Sequence, residues 1–254
     1  MSRVRLYRAA GIVLSARDLG ETDRVLSILS RERGKISAVA KGAKRPTSKL
    51  AASSQPFCYA AFQFAEGRNL DVVTQGVPRN AFYPIRASLQ KIAYASYFGE
   101  LVNAFTEERS PSPRLFDLLL AALSALTSAA DDSGLAVLAR AFELRLLALS
   151  GYAPQLTSCS SCGRKVSGGA FLSNAVGGLV CPGCAAEGDA ARYLSAGALA
   201  AMRLLARSSP AVLPPIGLTR AQVAQIEAGL RAYIEYHLDR KIRSARFLHE
   251  FAKR

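Results

Sequence analysis

Four of the chain's five cysteines stand in two close pairs, Cys159-Ser-Ser-Cys162 and Cys181-Pro-Gly-Cys184, with 18 residues between them. The surrounding stretch, 151–191, is poor in long apolar side chains and rich in Gly and Ser, so a hydrophobic core cannot order it. Two CxxC turns, each bringing two thiolates within about 4 Å on one side of a metal, together supply a tetrahedral four-sulfur zinc site. A disulfide pair suits an oxidising compartment, and a thioredoxin-like motif needs one CxxC at a strand-to-helix junction, so zinc is the reading this pattern favours. Four protein ligands leave no open coordination position. The spacing therefore predicts one structural Zn2+ on Cys159, Cys162, Cys181 and Cys184, contributing folding free energy and activating no water. Gly163 and Gly183 are expected to relieve crowding beside the sulfurs, and Cys58, in an apolar run, to be an inert core residue.

The rest of the chain changes texture near Pro84. Before it lie five short β-rich runs, approximately 7–16, 24–30, 35–40, 57–65 and 70–74, divided by Gly, Pro, Ser and charged clusters, which suit a small barrel. The aromatic series Phe57, Tyr59, Phe62, Phe64 slips by one residue midway, predicting a bulge or bend. After Pro84, Ala- and Leu-rich periodicity predicts helices near 86–107, 113–129 and 135–150, and beyond the cysteines near 196–208 and 219–241, with Ser195 and Thr219 as N-caps. The class is α+β. The expected domains are a barrel at 1–80, a helical domain at 81–158, a zinc-ribbon insert at 159–191, and C-terminal helices at 192–254 packing on the helical domain.

Charge narrows the function. The chain carries 33 Lys+Arg against 19 Asp+Glu, a net +14, which implies an anionic partner such as nucleic acid or an anionic membrane surface. The excess sits at the two ends: 1–80 holds 14 bases and 6 acids, 192–254 holds 11 and 4. Within it, Arg33, Lys35, Lys41, Lys44, Arg45 and Lys49 fall in 17 acid-free residues punctuated by Gly34, Gly42 and Pro46. A flexible cationic loop on a barrel suits a phosphate backbone better than a solvated charged face, which would carry compensating acids. Gly42-Ala43-Lys44 lacks the full phosphate-loop spacing, so nucleotide hydrolysis is not supported.

Candidate catalytic groups are sparse. The two histidines, His237 and His249, lie in basic helical surroundings outside any triad or ligand motif and are expected to be surface or helix-packing residues. Asp18, Glu21 and Asp23 cluster around a turn with no second acidic group to complete a nuclease metal site. No uncharged apolar run reaches the length of a membrane span and no convincing secretory signal is present, which points to a cytoplasmic protein without membrane contact.

With these features in place, the chain resembles the bacterial RecO family of DNA recombination mediators. The resemblance runs through Gly20-Glu21-Thr22-Asp23, Gly34-Lys35, Ala40-Lys41-Gly42-Ala43-Lys44-Arg45 and Pro56-Phe57, then Phe142-Glu143-Leu144-Arg145-Leu146-Leu147 and Gly151-Tyr152, then the cysteines, and finally His237-Leu238, Ser244 and Phe247-Leu248. It implies an N-terminal five-stranded OB-fold barrel, a helical domain and an inserted four-cysteine zinc ribbon. It also implies a non-enzymatic role: binding single- and double-stranded DNA, annealing complementary strands, and with RecR promoting RecA loading onto strands coated by single-strand-binding protein, with a functional link to RecF. By the same resemblance, that protein's acidic C-terminal tail docks on the helical domain; Arg140, among Leu138, Leu144 and Leu147, is the candidate cation. Without the resemblance, barrel, ribbon and charge equally permit a zinc-ribbon RNA-binding or ribosome-associated factor, which preference for single-stranded DNA and binding of RecR would distinguish. A nuclease or redox enzyme would lose activity on substitution of the acids near Asp23 or of the thiols.

Overall fold

The computed structural model describes residues 5–129, 131–185, 191–245 and 248. Its first strand, β1 (Leu6–Leu19), is long enough to serve two neighbours. Residues 6–12 pair antiparallel with β4 (Tyr59–Ala65), and 11–19 pair with β2 (Asp23–Ser30), with a register shift between Val13 and Ser15. β3 (Gly34–Ala40) follows β2, and β5 (Asp71–Asn80) pairs with β4 and meets β3 in a short parallel contact, Ala38↔Asp71 and Val39↔Val72. The order β1-β2-β3-β5-β4 closes into an OB-like barrel, leaving no open sheet edge. Ile36, Ala38 and Ala40 alternate inward against Ala60, Phe62 and Phe64, so small residues on one wall make room for rings on the other. Each buried ring or branched chain contributes roughly 1.5–3 kcal/mol. Gly11 is required by this packing, because a Cβ there would stand 2.5 Å from the Ile28 side chain.

The aromatic slip has a specific origin. Ala60, Phe62 and Phe64 point inward in strict alternation, while Tyr59 faces outward and Phe57 precedes the strand at a left-handed φ of 66°. The irregularities lie on the partner: β5 carries an extra residue at Thr74 and again at Arg79. The strand runs to Asn80, past Gly76 and Pro78 and beyond the expected end at 74. Gly76 is used for close approach, since a Cβ would meet the Ser53 hydroxyl at 2.3 Å.

α1 (Tyr83–Arg86) and α2 (Leu89–Phe105) replace the single helix expected at 86–107, because the Ser88 hydroxyl caps α2 by accepting from the Lys91 amide. α2 lies close on β1 at Gly99, where a Cβ would be 2.9 Å from the Leu14 carbonyl oxygen. α3 (Pro113–Ser128) follows.

The chain divides into two units, Met1–Thr127 with Ser244–Arg254, and Ser128–Arg243. In the second, α4 (Asp132–Leu149) is capped by Asp131, so the Asp-Asp-Ser-Gly run starts a helix. α5 (Ala196–Arg207) and α6 (Arg220–Leu238) pack on α4, capped by Ser195 and by a Thr219–Gln222 capping box. α6 stops three residues short of the expected 241, at Asp239 in the left-handed region. Strands β6 (Ala170–Ser173), β7 (Gly178–Val180) and β8 (Arg192–Leu194) form a sheet in the order β7-β6-β8, its last strand beyond the 159–191 window. Among the described residues, no helix is long and apolar enough to cross a membrane.

Candidate nucleic-acid interface and metal centre

The cationic loop begins where β3 ends, and two of the sequence hallmarks, Gly20-Glu21-Thr22-Asp23 and Ala40-Lys41-Gly42-Ala43-Lys44-Arg45, turn out to be halves of one lock. The Gly42 amide donates to Asp23 Oδ1 at 2.7 Å, the Lys44 amide to the Thr22 carbonyl at 2.9 Å, and Lys44 Nζ to Asp18 Oδ2 at 2.7 Å. The Gly42 amide, then the Thr22 hydroxyl, hold the Asp23 carboxyl below the ordinary carboxylate range, and the Lys44 ammonium does the same for Asp18. Asp18 and Asp23 therefore organise the loop. Lys41, Arg45 and Lys49 are left exposed, and none forms an ion pair among the described residues.

Lys35 departs from the expected set. Its ammonium donates to the carbonyls of Asn103 at 3.1 Å and Thr106 at 2.7 Å, so it caps the C-terminal turn of α2. Beside it Gly34, at φ +70°, leaves no room for a Cβ against the Ser110 backbone. The Gly34-Lys35 pair is thus an architectural hallmark. Arg33, exposed in the β2–β3 turn, places its guanidinium 4.6 Å from the centroid of the Tyr7 ring, which stacks on Phe64. The Tyr7 hydroxyl donates to the buried Asp71, and burial followed by that bond raises its pKa.

Sequence reasoning missed two more cations on this barrel. Arg8 and Arg79 line a groove with Arg33, Gln63, Gln75 and Val77. Isolated arginines on alternating strands leave no run to notice; only the register of β1, β4 and β5 brings them together.

In the second unit the four cysteines converge as the spacing required, all Sγ atoms lying within 4.8 Å of one another. Cys162 and Cys181 Sγ are 3.9 Å apart, against an edge of about 3.8 Å for a tetrahedron with ~2.3 Å zinc–sulfur bonds. The Cys181 amide donates to Cys159 Sγ at 3.4 Å, and this bond, with others from the Cys162 and Ser161 amides, lowers the Cys159 thiol to about 6. Cys184, facing the Cys181 and Cys162 sulfurs, is pushed up to about 12. Crowded thiols of this kind call for a cation, and the donor set fits a soft or borderline divalent ion. A Cβ on either Gly163 or Gly183 would meet open space, so neither relieves crowding beside the sulfurs; Gly163 instead supplies the left-handed φ of +71° in the first turn. Arg203 on α5, unremarked in the sequence, donates from Nε to the Leu156 carbonyl at 2.6 Å and from a terminal nitrogen to that of Val166 at 2.7 Å, tying down the segment that carries the first cysteine pair.

Arg140 is 4 % exposed on α4, with its guanidinium 2.9 Å from Glu143 Oε1. The structure thus buries the cation proposed to flank a tail-binding groove: α4 is buried on most of its circumference, so a charge there needs a buried partner. Cys58 is buried in the barrel core, its thiol pKa raised by burial. His237 packs among Tyr152, Tyr233 and Tyr236, and desolvation lowers its pKa. His249 and Phe247 lie outside the described residues.

Comparison with known proteins gives concordant matches along the chain. The family model "Recombination protein O N terminal" matches residues 1–82 and "Recombination protein O C terminal" matches 86–246. Proteins named "DNA repair protein RecO" are similar over nearly the whole length: that of Pelotomaculum thermopropionicum is 40 % identical over 250 residues, 98 % of this chain and 96 % of that protein. That of Symbiobacterium thermophilum is 36 % identical over 246 residues, 96 % of each. That of Alkaliphilus metalliredigens is 42 % identical over 179 residues, 70 % of this chain and 72 % of that one.

Proposed function

Because this chain belongs to the RecO (Recombination protein O) family, we propose that it is a DNA-repair mediator that binds single- and double-stranded DNA and anneals complementary strands without catalysing a reaction. The observation that carries the reading is the loop after β3: its backbone is pinned by Asp23 and Thr22 while Lys41, Arg45 and Lys49 project into solvent. Cations on a pinned loop neutralise phosphates as counterions leave, and two strands whose repulsion is screened in this way can pair. Arg33 and Lys44 extend the same surface, and Lys35 supports it by fixing β3. In this reading one structural zinc on Cys159, Cys162, Cys181 and Cys184 orders the ribbon. The partners are RecR and single-strand-binding protein, the outcome is RecA loading with a link to RecF, and the site of action is the cytoplasm.

The test is the triple variant Lys41→Ala, Lys44→Ala, Arg45→Ala. DNA binding should weaken, and the slope of log affinity against log salt should flatten by roughly one unit for each phosphate that is no longer neutralised. An unchanged slope overturns the assignment of the loop. A pull-down with RecR and single-strand-binding protein checks the partners.

A further inference from the structure

We propose that a single strand of DNA runs across the outer face of the β1–β4–β5 sheet, held by Arg8, Arg33 and Arg79; this rests on the DNA-binding reading of the barrel. OB-folds commonly bind oligonucleotides on the face of strands 2 and 3. Here the outward side chains of those strands are already engaged. Ser27 bonds to Asn103, Lys35 to Asn103 and Thr106, and Ser37 to Glu108, so α2 and the turn after it occupy that face.

The β1–β4–β5 face is solvent-accessible and built in rows. Pairing sets Arg8 beside Gln63 and Gln63 beside Gln75, then Ala10 beside Ala61 and Ala61 beside Val77. The first row offers a guanidinium and two amides. The second offers two methyl groups and a valine 64 % exposed. Beyond it Arg79 donates to the Tyr59 hydroxyl at 3.1 Å with its guanidinium 5.6 Å from that ring's centroid, and Arg33 is held over Tyr7 at the other end. Two of the three cations are thus positioned by aromatic rings, which lowers the entropy lost on gripping a phosphate. Among the described residues Glu32 is the one acid along the groove, and its carboxylate accepts from the Ser30 hydroxyl.

A low apolar floor between guanidinium rows fits an unpaired strand. Its bases can lie on the alanines and Val77 while its phosphates meet the arginines, whereas a duplex keeps its bases stacked inside, gains nothing from this floor and is held by the cations of the loop after β3.

The chain contains no tryptophan, so Val77→Trp introduces a single indole at the centre of the proposed path. Titration with oligothymidylate should quench its fluorescence saturably, in step with binding followed independently by anisotropy. In the otherwise native chain, Arg8→Glu with Arg79→Glu should weaken single-strand binding at least tenfold and flatten its salt slope by about 1.4, at ~0.7 per phosphate. Duplex affinity should stay within threefold, and a melting curve matching the parent protein's verifies folding. Oligonucleotide binding without quenching, or equal losses for duplex and single strand, overturns the path. If the loop triple variant loses affinity and the Arg8/Arg79 variant does not, only this path fails. If the native chain binds no DNA, the proposed function itself fails.

Discussion

Arg140 and Glu143 put a full ion pair where solvent does not reach, one turn apart on α4. Such pairs add little net stability, but losing one partner strands the other, at a cost of about 3–5 kcal/mol. Arg140→Glu would set two carboxylates side by side in the interior, and its damage would say nothing about tail docking. The informative variant replaces both, Arg140→Met with Glu143→Leu: melting should shift by only a few degrees, and affinity for a peptide copying the single-strand-binding-protein tail should fall if that tail opens the pair. A stable double variant that keeps full peptide affinity places the tail elsewhere. Lys35 invites a parallel prediction. Lys35→Met keeps the aliphatic stem but leaves the Asn103 and Thr106 carbonyls without their cation, so chemical denaturation should report a loss of about 1–3 kcal/mol. The salt slope of DNA binding should not change; a lower slope at unaltered stability would return Lys35 to the DNA surface. In sequence Lys35 looks no different from Lys41 or Lys49, because a charge run does not say which ammonium meets a carbonyl and which meets water.

Elements announced themselves where a local signal sufficed. Ser195 and Thr219 cap helices because a hydroxyl three residues before an amide is a local matter, and the cysteine spacing is likewise a property of two short turns. β5 was legible only in its first half, since Gly and Pro disfavour strand interiors and neither the close approach of Ser53 to Gly76 nor the bulges at Thr74 and Arg79 can be read locally. The groove arginines stayed hidden for the same reason: register is a long-range property. The ribbon sheet is very short, with strands of four, three and three residues, so on the proposed reading a zinc knuckle supplies its order, while Arg203 fixes the neighbouring segment at Leu156 and Val166. Metal analysis should therefore find about one zinc per chain, and Cys181→Ser should lose it, melting the ribbon while the barrel still binds DNA. A chain that carries a disulfide and no zinc would contradict this.

At the scale of the molecule, the basic ends seen in the sequence belong to different units: the first excess lies on the barrel, and most of the second falls in 192–243 of the other unit, which holds 8 bases and 3 acids. The end of the described chain returns to the first unit, where the Ser244 amide and hydroxyl both donate to Glu100 Oε2, at 2.8 and 2.5 Å. That contact spans 144 residues. On a ribosome adding ~5–20 residues each second, the Glu100 carboxylate waits roughly 7–30 s for its partner to be synthesised. The ribbon and its helices emerge in the interval. The barrel unit, first to appear, is therefore last to be completed, and a nascent chain stalled anywhere before Ser244 presents a closed barrel whose α2 still lacks its C-terminal clasp.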